Sequence, residues 1–95
     1  MNSYETLYIV KPDMEEEARA ALIQKFSDLV ANNGGEVENV DEWGARKLAY
    51  AIDYITEGYY VLMNFKANSD FPAELDRLMR INENVMRSMT LVKEA

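Results

Sequence analysis

The chain has 95 residues, no cysteine, no histidine and a formal charge of -7. One domain spanning residues 1–95 around a single core is expected at this size, without disulfides, thiolate chemistry or the imidazole that serves most general bases and many metal sites. The start, MNSYETLYIV, lacks a basic n-region and a continuous apolar stretch, and no uncharged run approaches the roughly 18 to 20 residues that span a bilayer, so a cytoplasmic protein without a membrane partner is expected.

Tyr4 to Val10 (YETLYIV) has strand propensity and ends at Lys11-Pro12-Asp13, where proline breaks a ladder. Successive strand residues face opposite sides, so Leu7 and Ile9 share one face while Thr6, Tyr8 and Val10 share the other, and both are apolar. Asp13 followed by Glu16 has the spacing of a capping box and predicts a helix from about residue 14, with Glu15, Glu16 and Glu17 complementing its dipole. Ala18, Leu22, Phe26, Leu29 and Val30 make its apolar stripe, and Asn32-Asn33-Gly34-Gly35 ends it. Val37 and Val40 among Glu36, Glu38, Asp41 and Glu42 predict an acidic edge strand, bulged before Trp43-Gly44 and resuming from Arg46 to Ile52.

Asp53 to Gly58 predicts a turn, and Tyr59 to Lys66 a second strand with two apolar rows: Val61, Met63 and Phe65 against Tyr60 and Leu62. Asn68-Ser69-Asp70 with Pro72 predicts a second helix to about Arg80, buried through Phe71, Leu75, Leu78 and Met79. Asn82-Glu83-Asn84 breaks it, Val85 to Lys93 alternates as a last strand, and the final few residues are expected to be loose. Strand, helix, strand, strand, helix, strand is the order of the α+β ferredoxin-like split βαβ fold (βαββαβ), a four-stranded antiparallel sheet with two helices on one face. Its other face is left bare. Two doubly apolar strands therefore predict that a second molecule covers that face.

Chemistry is sparse. Glu15-Glu16-Glu17 cannot converge on one ion because successive helix residues diverge, the four serines have no activating base, and Gly34-Gly35 closes a helix where a phosphate cradle would open one. No catalytic residue, metal site or cofactor is expected. The aromatic residues of a bare sheet stack bases in several RNA-binding modules, yet Leu7, Ile9 and Leu62 dilute such a platform and suit protein contact better. Charge is lopsided: residues 1–45 hold ten acids and three bases, residues 46–95 seven of each. Arg77, Arg80 and Arg87 are the bases best grouped for phosphate, or for ion pairs with Asp76 and Glu83. An acidic chain of this kind is expected to bind RNA weakly when alone and to be helped by a basic co-binder.

Four blocks, YETLYIVKPD (Tyr4 to Asp13), NGGEVENVDEWGARKLAYAI (Asn33 to Ile52), GYYVLMNFKA (Gly58 to Ala67) and INENVMR (Ile81 to Arg87), resemble the bacterial small-subunit ribosomal protein six family. The resemblance implies a non-enzymatic, ribosome-bound constituent of the small subunit. It also implies pairing with the small-subunit ribosomal protein numbered eighteen, and cooperative binding with it to the central domain of the small-subunit ribosomal RNA. By the family's pattern Tyr4, Arg80, Asn82, Asn84 and Arg87 face RNA. Leu7, Ile9, Arg46, Lys47, Leu48, Tyr50, Tyr60 and Leu62 face the protein partner, and the isolated chain is a monomer. Where the family often carries bases before the first-block tyrosine, Asn2 and Ser3 stand here. The competing reading of the same topology is a small-molecule regulatory domain that hides its bare face in a homodimer.

Overall fold

A computed structural model describes residues 1–52 and 54–93. Its elements are β1 (Asn2–Val10), α1 (Glu16–Asn32), β2 (Glu36–Ile52), β3 (Ile55–Ala67), α2 (Phe71–Arg80) and β4 (Val85–Val92). They form one antiparallel sheet in the order β2-β3-β1-β4, the ferredoxin-like arrangement that the element order predicts. The two doubly apolar strands, β1 and β3, are the central pair, and the polar β2 and β4 take the edges. Residues 94 and 95, where a loose end is expected, and residue 53 of the expected turn lie outside the described residues.

One face of the sheet carries the core. Tyr8 and Val10 of β1 and Val61, Met63 and Phe65 of β3 pack against Leu22, Phe26 and Val30 of α1 and Phe71, Leu75 and Met79 of α2. The Tyr8 and Phe26 rings meet edge to face at 5.3 Å, as do Phe65 and Phe71 at 6.0 Å. Thr6, the one buried polar or charged residue among those described, shares a hydrogen bond with Thr90 on β4 (2.8 Å between hydroxyls), which offsets its desolvation. The Tyr8 hydroxyl has no protein partner in its buried site, and burial, followed by the Glu42 carboxylate, pushes its pKa above the ordinary phenol range.

The helix starts differ from expectation. α1 begins at Glu16 with Glu15 as N-cap and no side-chain cap, so Asp13 stays in the preceding turn. The chain first carries Met14 against the core, while the Lys11 amide donates to the Asn84 carbonyl (2.9 Å) and ties the end of β1 to the α2–β4 turn. The first helical bond is then Arg19 N–H to Glu15 C=O. At the far end Gly34 takes φ +80°, and Gly35 is needed for closeness: a Cβ there would lie 2.6 Å from the Lys66 carbonyl oxygen.

The β2–β3 hairpin is longer than expected. β3 starts at Ile55, which pairs with Ile52, so Ile55 to Gly58 extends the ladder where the sequence predicts a turn. A register shift falls between Glu42 and Gly44, at the bulge the spacing predicts, with Gly44 at φ +90°.

Candidate nucleic-acid and protein interface

Alternation fixes which side chains occupy the helix-free face. Leu7 and Ile9 of β1 lie beside Leu62 and Tyr60 of β3, and on the other side Leu7 pairs with Met89 and Ile9 with Arg87 of β4. The bulge at Gly44 changes the parity of β2, so Trp43 and Arg46, three residues apart, reach this same face. Trp43 stacks on Tyr60 (centroids 6.3 Å apart, planes 8° apart), and the Arg46 guanidinium lies 5.4 Å from the Trp43 ring centre. The Trp43 indole N–H donates to the Asp41 carboxylate at 3.1 Å. The Arg87 Nη1 donates to the Tyr50 hydroxyl at 2.8 Å, which draws β4 to the hairpin and raises the Arg87 pKa above the ordinary guanidinium value. Among the described residues neither Arg46 nor Arg87 pairs with a carboxylate.

Coverage of this face is uneven. Leu7 and Leu62 are half-buried and Met89 is 53% exposed, whereas Ile9 is only 8% exposed. The hairpin hides Ile9: a Cβ on Gly58 would sit 2.3 Å from its Cγ2, with Leu48 alongside. Ile9 is thereby corrected from a residue awaiting a foreign cover to one the chain covers itself. Lys47, opposite Glu57 in the ladder, alternates with Arg46 and Leu48 and projects from the reverse side of the hairpin, away from the face expected for it.

The residues expected on the RNA side divide into four places. Arg80 extends from the last turn of α2, 2.9 Å from the Asp76 carboxylate. Asn82 and Asn84 build the following turn, the Asn84 amide donating to the Asn82 side-chain oxygen at 2.9 Å. Arg87 belongs with the apolar face. Tyr4 is apart from all of them: its ring is 4% exposed, packed 5.6 Å from Phe65, and its hydroxyl accepts from the Asn2 amide nitrogen at 3.3 Å. It pairs with Val92, whereas the α2–β4 turn adjoins Val10, about 20 Å away along the strand. An exposed stacking role for Tyr4 is not compatible with that burial.

Trp43 and Met89 join the face without having been singled out in the sequence. The signal for Trp43 was the Gly44 bulge, which reverses parity, and for Met89 the alternation from Arg87. On the helix side the Arg19 guanidinium lies 4.0 Å over the Tyr59 ring, and the Tyr59 hydroxyl donates to Glu42 at 2.9 Å, a strap from α1 to β2. Desolvation, then this bond, raises the Tyr59 pKa. Among the described residues no three of His, Cys, Asp or Glu come together to hold a metal, and no helix is long and apolar enough to cross a membrane.

One core filled by two helices and one open face that carries an apolar row flanked by Arg46 and Arg87 make this a ferredoxin-like α+β domain. Known proteins agree with that class. The family model described as ribosomal protein S6 matches residues 3–92. Proteins named small ribosomal subunit protein bS6 are 54% identical over 94 residues in Clostridium novyi, covering 99% of both chains, and 53% identical over 91 residues in Thermoanaerobacter pseudethanolicus, covering 96% of both. The crystal structure of 30S ribosomal protein S6 from Thermotoga maritima superposes with a TM-score of 0.91 at 27% identity, covering 97% of this chain and 87% of that one. The chain belongs to the ribosomal protein S6 family. It is accordingly a structural constituent of the small ribosomal subunit, a cytoplasmic ribonucleoprotein component of translation and not an enzyme.

Proposed function

We propose that the chain, a monomer when isolated, docks the small-subunit protein numbered eighteen on its open face, and that the pair binds the central domain of the small-subunit ribosomal RNA cooperatively. The observation that carries this is the half-exposed apolar row of Leu7, Leu62 and Met89 beside Tyr60, on a sheet whose opposite side packs against both helices. Each square ångström of that row removed from water contributes about 25 cal/mol of gross hydrophobic free energy, offset in part by the freedom the two molecules lose on binding. The charge of -7 opposes approach to phosphate, so a basic subunit seated there would supply both apolar contact and the missing positive charge.

In this reading Leu7, Arg46, Leu48, Tyr50, Tyr60 and Leu62 meet the protein partner. Arg80, Asn82 and Asn84 meet RNA, and Arg87, held by Tyr50, stands at the seam between the two. Tyr4 contributes from the core by fixing the start of β1, and Lys47 serves the reverse side of the hairpin. Replacing Arg80 or Arg87 by glutamine is expected to weaken the ternary complex and to lower the slope of log affinity against log salt by about one for each phosphate no longer neutralised. A salt titration of each variant checks this. An unchanged slope for Arg80→Gln would assign that guanidinium to Asp76 alone.

A further inference from the structure

The two edges of the sheet are protected unequally. Glu36, Glu38, Asp41 and Glu42 line β2, and its ladder with β3 shifts register three times, both of which discourage a further strand. β4 lacks those devices. It has one charged residue, Arg87, which Tyr50 holds, it has no proline, and its register with β1 is regular from Val92 to Arg87. Met89, Leu91 and Val92 on it are 53%, 53% and 69% exposed. The Lys93 amide donates to the Ser3 carbonyl at 2.8 Å, which makes those two a hydrogen-bonded pair. Alternation then turns the N–H and C=O groups of Leu91, Met89 and Arg87 toward β1, opposite Glu5, Leu7 and Ile9. Ser88, Thr90 and Val92 turn theirs outward, where no strand among the described residues pairs with them. Beside this edge, between β4 and α2, lies a cleft of about 310 Å³ with Ala73, Asp76, Thr90 and Val92 in its walls.

We propose that β4 accepts a fifth strand, an extended segment of the basic protein partner docked on the open face. The proposal deepens the docking reading above and rests on it. Continuity favours this occupant. Met89 and Leu91 face the open side with Leu7, so a strand laid along β4 prolongs the same apolar row. Its apolar residues meet Met89 and Leu91, and the alternate ones enter the cleft beside α2, where side chains have room. The outward N–H and C=O groups of Ser88, Thr90 and Val92 supply the ladder, so affinity comes from backbone and register from the alternation. Charge argues against a second copy of this chain as the occupant. Another copy brings a further -7, whereas a basic segment is attracted.

Amide hydrogen exchange read by NMR on the full chain tests this, with and without the small-subunit protein numbered eighteen and with no RNA. In the free chain the amides of Arg87, Met89 and Leu91 are expected to exchange slowly and those of Ser88, Thr90 and Val92 quickly. Adding the partner is expected to slow the second set by about tenfold or more. Ser88→Pro removes an outward N–H and leaves the bonds to β1 in place, and is expected to weaken partner affinity by about tenfold, while Ser88→Ala stays within about twofold. A complex that forms while Ser88, Thr90 and Val92 still exchange quickly would overturn strand addition and leave open-face docking standing. Slowing that appears in the free chain as its concentration rises would give the edge to a second copy and also overturn the proposal. If the two proteins form no complex, the docking reading falls and strand addition with it.

Discussion

Replacing Phe65 by alanine lowers the free energy of unfolding by about 3 to 5 kcal/mol, read as a shift of the urea midpoint at constant slope. Phe65 is wholly buried near the end of β3, between the Tyr4 ring at 5.6 Å and the Phe71 ring at 6.0 Å. It also bridges the sheet to the first turn of α2, so truncation opens a cavity where two layers meet. Domains of this size are commonly stable by about 5 to 15 kcal/mol, so the loss is a large share of the total. A variant that remains folded is expected to dock the protein partner normally, because the ring points away from the open face. A loss below about 1 kcal/mol would show that the core is not organised around this ring.

Leu62→Lys gives the reverse result on the same strand. Leu62 lies three residues before Phe65, on the opposite face, and is only half-buried. An ammonium there stays hydrated in the free chain, so stability is expected to change by less than about 1 kcal/mol. Under a basic subunit it would be desolvated and set against like charge, with only Asp41 across the ladder to offset it, which weakens association by about tenfold or more. Calorimetric titration of the two proteins without RNA checks the affinity, and light scattering checks that the free variant is monomeric. A partner that binds Leu62→Lys as tightly as wild type would have to sit elsewhere.

The contrast between these two residues was legible in the sequence, since alternation along Tyr59 to Lys66 separates Val61, Met63 and Phe65 from Tyr60 and Leu62 without reference to any contact. The same parity argues for burial of Tyr4, which shares its row with Thr6, Tyr8 and Val10. The family resemblance alone suggested an RNA contact for it, and its place in the core follows the alternation. Other features required tertiary information. That Gly58 and Leu48 close over Ile9 depends on a meeting of strand and hairpin that no local pattern encodes. The side of β2 on which Trp43, Arg46 and Lys47 fall depends on how the Gly44 bulge resets the ladder, and the sequence indicated only that a slip occurs. The late start of α1 has a similar origin. Packing of Met14 and the bond between Lys11 and Asn84 outweigh a capping signal of about 1 kcal/mol at Asp13.

Under the proposed function, open-face docking and RNA binding are coupled by charge as well as by contact. An acidic chain that touches phosphate at a few arginines gains most of its affinity when a basic subunit shares the surface. The most direct measurement is the affinity for a central-domain RNA fragment at one fixed salt concentration, with and without the small-subunit protein numbered eighteen. Tightening of about tenfold to a hundredfold with the partner present is expected. Equal affinity in its presence and absence would contradict cooperative binding through the open face.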